Sequence, residues 1–156
     1  MQRDRIANLS FLLLAMLAAA GFVASAAFHG LACLQIPPPG GRVSFALHVG
    51  LFVLWFPLVI LATRTRPPAA IANADHVLAA LPLWSRIAIG CLFAYAILNF
   101  IHFNFASARY PRNAVPLPVT LRGFSGHWMF FYAAAWTGFV GLARLSRKPR
   151  GDRPPA

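Results

Sequence analysis

LRGFSGHWMFFYAAAWTGFVGLAR, residues 121–144, is the stretch that decides the fold of this chain. Glycines punctuate its start, His127 and Trp128 follow, and an apolar run of about a bilayer's thickness ends at Arg144. This pattern predicts a membrane-spanning helix over about residues 125–143, with a histidine at its mouth. Earlier segments over about residues 6–29, 43–62 and 86–105 have the same apolar character, so we predict four spans.

The composition is too apolar for an ordinary soluble domain. Hydrophobic residues make up 59% of the 156 residues and charged residues only 11%, whereas soluble domains have about 45–50% apolar and about 25% charged residues. The surplus apolar surface needs to face lipid, and the length leaves no room for a separate soluble domain. We therefore predict an all-α integral membrane protein, a four-transmembrane-helix bundle forming one membrane domain over residues 1–156.

Basic residues set the predicted orientation. If the N-terminus is cytoplasmic, only four of the 14 Lys and Arg residues lie outside, namely Arg42, Arg109, Arg112 and Arg122. This distribution satisfies the positive-inside rule, so we predict that both termini are inside (N-in/C-in). Segment 63–85 is then a cytoplasmic loop, with a short interfacial helix within 69–84. Segment 106–124 is an extended, proline-stiffened outer loop, and 145–156 is a disordered basic tail.

The first apolar segment has two interpretations. Arg3 and Arg5, the run FLLLAMLAAAGFV and the small residues at 24–26 resemble a secretory signal with its cleavage site. The apolar stretch continues to His29 and is long enough to span, so we favour a retained helix. Arginine greatly outnumbers lysine and alanine is abundant, which indicates a GC-rich bacterial source. We predict a multi-pass protein of the bacterial cytoplasmic (inner) membrane.

Four histidines fall near the predicted outer side, within roughly 10 Å of depth at 1.5 Å per helical residue. They are His29, His48, His102 and His127. Three of them share a helical face with polar residues: Ser25 and Ser44 each precede a histidine by four positions, and Tyr95 and Asn99 are spaced with His102. His127 heads a stripe of small residues through Gly138. Because polar side chains in membranes usually face the bundle interior, we expect these faces to turn inward.

Such a histidine group could bind metal or haem. Neutral imidazole is a common ligand of zinc, copper and iron, and axial haem ligation needs two histidines at similar depth. His48, His102 and His127 are the candidate ligands of haem b, copper or zinc, with His29 a further one. The competing interpretation is simpler. His29 and His127 are satisfied by water and headgroups at helix ends, while the other two make hydrogen bonds between helices.

Acidic residues and catalytic motifs that are missing limit the classes of function that the sequence supports. No Asp or Glu lies in any predicted span, and GxSxG, HExxH and P-loop motifs are missing, so the sequence gives no support to an enzyme. The basic residues point to the lipid bilayer and other membrane subunits as partners, rather than to nucleic acid. Our leading hypothesis is an accessory or scaffold subunit of a larger membrane complex. The alternative is a haem- or metal-binding redox protein, and a third is a small-anion carrier. Arg109, Arg112 and Arg122 would attract lipid, partner or anion.

Overall fold

The computed structural model describes residues 2–64, 79, 81–111 and 114–147, and within these ranges the chain is helical and contains no strand. Four α-helices follow one another: α1 over Gln2–Cys33, α2 over Ala46–Arg64, α3 over Leu83–Ser107 and α4 over Leu117–Arg147. A short 3₁₀ helix, Gly41–Phe45, leads into α2. The predicted all-α class is confirmed.

Helix α4 lies at the centre of the bundle. It packs along α1 over much of its length and also contacts α3 and α2, whereas α1 and α2 meet only slightly. The buried aromatic side chains of the described core, Trp128, Tyr132 and Phe139, all belong to α4. The other three helices therefore cover α4 and leave their own outer faces open.

Small residues bring the helices close together. Ala15 and Ala18 of α1 are buried, and Gly21 lies so near Tyr132 that an added Cβ would overlap the tyrosine ring. On the other side of α4, a Cβ added at Gly138 would lie 3.0 Å from Leu58 of α2. Packing through small side chains is the usual way in which membrane helices associate.

Three helices are long and apolar enough to cross a membrane, over Asn8–Cys33, Gly41–Ile60 and Leu83–Ser107. Helix α4 has 31 residues but is not apolar enough to meet the same criterion. The hydropathy of the helix thus does not support the predicted fourth span. The reason is its central position, since polar residues such as Ser125 and Thr137 lower its hydropathy while remaining buried against neighbouring helices.

The predicted outer loop over 106–124 is shorter than expected, because α3 continues to Ser107 and α4 begins at Leu117. Pro116 precedes α4 and Pro118 lies in its first turn, where the N–H that proline lacks is not needed. The Thr120 N–H donates to the Pro116 carbonyl at 3.1 Å. The prolines therefore start a helix instead of stiffening a loop up to residue 124.

The connection from α1 to α2 is a sharp turn. Helix α1 ends in a Schellman motif, in which the Ile36 N–H donates to the Leu31 carbonyl at 2.9 Å and Gln35 adopts φ 59°. Gly40 and Gly41 also have positive φ, which glycine adopts without strain. Most of the predicted cytoplasmic loop and its interfacial helix, and the tail after Arg147, lie outside the described residues.

Candidate functional site

A buried hydrogen-bond network joins α1, α3 and α4 around His29, which is 8% exposed. Its Nδ1 lies 2.9 Å from Ser125 Oγ. The Ser125 hydroxyl donates to the Leu121 carbonyl at 2.6 Å, so its oxygen accepts the hydrogen bond from the His29 Nδ1–H. The remaining lone pair, on Nε2, accepts from the Tyr95 hydroxyl. Both imidazole nitrogens are therefore already engaged within the protein.

This network places a serine beside a histidine, yet it lacks the arrangement of a nucleophile and its base. Ser125 is fully buried, and its proton is held by a backbone carbonyl instead of by the imidazole. The sequence pattern did not indicate Ser125 or its contact with His29. The spacing of Ser25 and His29 did indicate an inward face, and both are buried.

His48 has a different environment, because its side chain is exposed. The indole N–H of the fully buried Trp128 donates to His48 Nδ1 at 3.1 Å. An indole can only donate, so Nδ1 carries no proton and Nε2 does. The expected common face with Ser44 is absent: Ser44 is buried and belongs to the 3₁₀ helix, whose turn differs from the α-helical spacing.

His127 is half-buried and has the opposite tautomer. Its Nδ1 lies 3.2 Å from the Gly123 carbonyl, which can only accept, so Nδ1 carries the proton. The Nε2 lone pair has no hydrogen-bond partner among the described residues. Metal-bound histidines usually have this orientation, with the other ring nitrogen donating to a carbonyl. Of His29, His48 and His127, it is His127 that retains an available lone pair.

His102 does not join the other histidines. The inward face of α3 runs through Ala96, Asn99 and Phe103, and at 100° per residue His102 lies about 90° away from it. His102 is therefore exposed, while Asn99 is buried and donates to the Arg122 and Gly123 carbonyls at 2.7 and 3.2 Å. Asn99 and His102 have the predicted helical spacing, but Asn99 is buried and His102 is exposed.

The four histidines therefore do not converge. Among the residues that the structure describes, no group of three His, Cys, Asp or Glu side chains is placed to hold a metal ion. His48 and His127 do line one cavity of about 100 Å³, well below the roughly 300–1,000 Å³ of ordinary ligand pockets. With Nε2 of His48 protonated, the pair offers one free lone pair, that of His127, and haem or metal ligation by these histidines stays a prediction.

The predicted basic residues are dispersed. Arg109 is exposed and Arg112 lies outside the described residues. Arg122 is half-buried, and its Nε is a buried donor without an acceptor among the described residues. The Arg122 side chain interacts electrostatically with both His29 and Tyr95. Among the arginines whose side chains the structure describes, Arg122 is therefore the one that is partly buried, and it lies beside the His29 network.

Comparison of the chain with protein-family models, with curated proteins and with solved structures finds no match. The class of protein that the geometry defines is a helical protein with three helices able to cross a membrane.

Proposed function

We propose that this chain is a small multi-pass protein of a bacterial inner membrane, an accessory or scaffold subunit of a larger membrane complex. The observation that carries the proposal is the outer surface of the bundle, where large apolar side chains project from three helices. Met16 of α1, Phe56 of α2 and Leu98 of α3 are 68%, 63% and 66% exposed. Such a surface is favourable only against lipid or other apolar helices.

All four helices are proposed to cross the bilayer, with both termini in the cytoplasm. Helix α4 lies against the other three, so its polar side chains need not face lipid. Its 31 residues extend about 46 Å at 1.5 Å per residue, more than the roughly 30 Å of the hydrocarbon core. Helix α1 is proposed to be retained, since its removal would uncover the longest interface of α4.

The accessory role is supported by the position of α3. This helix packs mainly on α4, and only 11% of its most apolar stretch is buried. Membrane helices associate by close packing and hydrogen bonds, so a helix with one neighbour retains a large surface for another subunit. The described residues also lack a converged catalytic or metal-binding group, which leaves association as the function that the surfaces support best.

Site-specific photocrosslinking in native membranes tests this role. A photoreactive residue is placed at Leu98 or Phe105 on the open face of α3, with the similarly exposed Met16 on α1 as the matched control. We expect a discrete protein adduct from the α3 positions and none from position 16. Lipid adducts alone from every position, together with purification of the chain as a lone monomer, would contradict the accessory role.

A further inference from the structure

A cleft between α2 and α3 has α4 as its floor. His48 and Leu51 line it from α2, Phe100 and Phe103 from α3, and four residues of α4 complete it. Helices α2 and α3 make little contact with each other, whereas each contacts α4. The space of about 100 Å³ therefore lies between two proposed membrane helices and is open on one side.

The wall of the cleft is a continuous series of aromatic rings that connects its two imidazoles. Ring centroids are 4.9 Å apart for His127 and Phe100, 6.2 Å for Phe100 and Phe103, and 6.0 Å for Phe103 and Phe124. The series closes with Phe124 and His48 at 6.0 Å. These edge and tilted contacts suit a further aromatic ring, because aromatic rings favour such arrangements at separations of about 4.5–7 Å.

The two imidazoles offer opposite hydrogen-bonding groups. The Trp128 indole leaves the His48 proton on Nε2, and the Gly123 carbonyl leaves the His127 lone pair on Nε2. His48 is an exposed residue. Among the described residues, Arg122 Nε is the one buried side-chain nitrogen or oxygen without a hydrogen-bond partner. Because His127 Nε2 also lacks a partner, it is therefore not buried but accessible. The residues that carry this donor and this acceptor both line a space that is otherwise almost wholly apolar.

We propose that this cleft binds the hydroxylated aromatic ring of a membrane-soluble phenol, a class that includes quinols. The ring hydroxyl accepts a hydrogen bond from His48 Nε2–H and donates one to His127 Nε2. An ether or a carbonyl oxygen can make only the first of these two hydrogen bonds, because it cannot donate. An enclosed apolar cavity of about 150 Å³ holds benzene. This cleft is smaller but open on one side, so a single ring enters with one edge in the bilayer. The proposal does not depend on the accessory role.

Binding of two simple probes decides the proposal. The protein in phosphatidylcholine nanodiscs is titrated with 4-fluorophenol and with 4-fluoroanisole, whose oxygen accepts but cannot donate, and fluorine NMR reports the bound fraction. Empty nanodiscs correct for partition into lipid. We expect the phenol to bind about tenfold more tightly than the anisole, because the ether leaves His127 Nε2 without its hydrogen bond.

Two matched variants locate the preference. His127→Phe should abolish it while anisole binding persists, which also reports that the cleft is intact. His102→Phe lies outside the cleft and should leave the preference unchanged. Equal binding of the two probes to the natural protein would overturn the proposal, and this result requires no variant to fold. A preference that survives in His127→Phe, or no binding beyond the empty-disc value, would overturn it as well.

Discussion

Replacing Gly21 with alanine should destabilise the bundle, although alanine is the better helix former. Gly21 in α1 faces Tyr132 of α4, and an added Cβ would overlap three atoms of the tyrosine ring. The ring has little freedom to move aside. Tyr132 is 3% exposed, and its hydroxyl donates to the Leu47 carbonyl at 2.8 Å. Gly50 packs against the same hydroxyl, since a Cβ there would lie 2.5 Å from it.

The size of the effect follows from two opposing contributions. Overpacking a close-packed core costs about 1–3 kcal/mol, whereas replacing glycine by alanine inside a helix gains about 0.5–1 kcal/mol. Because the Tyr132 ring is held at its hydroxyl, we expect a cost near the upper end and a net loss of about 1.5–2.5 kcal/mol. Gly30 in the same helix has no atom within 4 Å of an added Cβ. Gly30→Ala should therefore leave stability unchanged or raise it by up to about 1 kcal/mol.

The free energy of unfolding, measured by circular dichroism during SDS titration of mixed micelles, distinguishes these variants. In a Tyr132→Ala background the ring is gone, so Gly21→Ala should no longer destabilise the protein. Two results would refute the packing of α1 on α4. One is equal stability of Gly21→Ala and Gly30→Ala, and the other is a Gly21→Ala cost that persists without the Tyr132 ring.

The same unfolding measurement checks three further predictions. Phe139→Ala, at a fully buried position, should cost about 3–5 kcal/mol, and the 73% exposed Phe105→Ala should cost far less; similar losses would contradict the assigned core. Asn99→Leu should cost about 0.6–1.7 kcal/mol by removing two hydrogen bonds to α4. Asn104→Leu is the control, because the Asn104 hydrogen bond stays within α3. An equal effect of the two substitutions would exclude a role of Asn99 in joining α3 to α4. Gln35→Gly should stabilise the protein by about 1 kcal/mol by relieving a positive φ. A loss of stability would show that the hydrogen bond from the Gln35 side chain to the Ala32 carbonyl contributes more than this relief.

Hydropathy predicts the elements of this fold well where helices have large exposed apolar faces. The three outer helices were evident from their apolar length, and the inward face of α1 followed from the spacing of Ser25 and His29. Helix α4 shows the limit of that reasoning. Its start was missed because Pro116 and Pro118 read as loop residues, and its central position allows a polarity that a lipid-facing helix does not tolerate.

The arrangement of the histidines was less predictable. Ser44 lies in the 3₁₀ helix and His48 in the α-helix that follows, so spacing by 3.6 residues misplaced the histidine. His102 and Asn99 are three residues apart, yet a rotation of about 60° is enough to move the histidine from the interior to the outside. Tautomers depend on partners distant in sequence, such as Trp128 for His48, so the donor and acceptor of the cleft were not accessible from the sequence.

We propose that α4 crosses the membrane together with the three more apolar helices, and the sides of the membrane reached by Cys33 and by the end of α4 test this directly. Cys33 is exposed at the end of α1, and Cys91→Ser leaves it as the one cysteine. Labelling with a membrane-impermeant maleimide reports the side of the membrane on which Cys33 lies. Green fluorescent protein or alkaline phosphatase fused after Arg147 reports the side that the end of α4 reaches. We expect opposite sides, with Cys33 labelled from outside and the fluorescent fusion active in the cytoplasm. Labelling of Cys33 from outside together with an active phosphatase fusion would place both on the same side and contradict the crossing of α4.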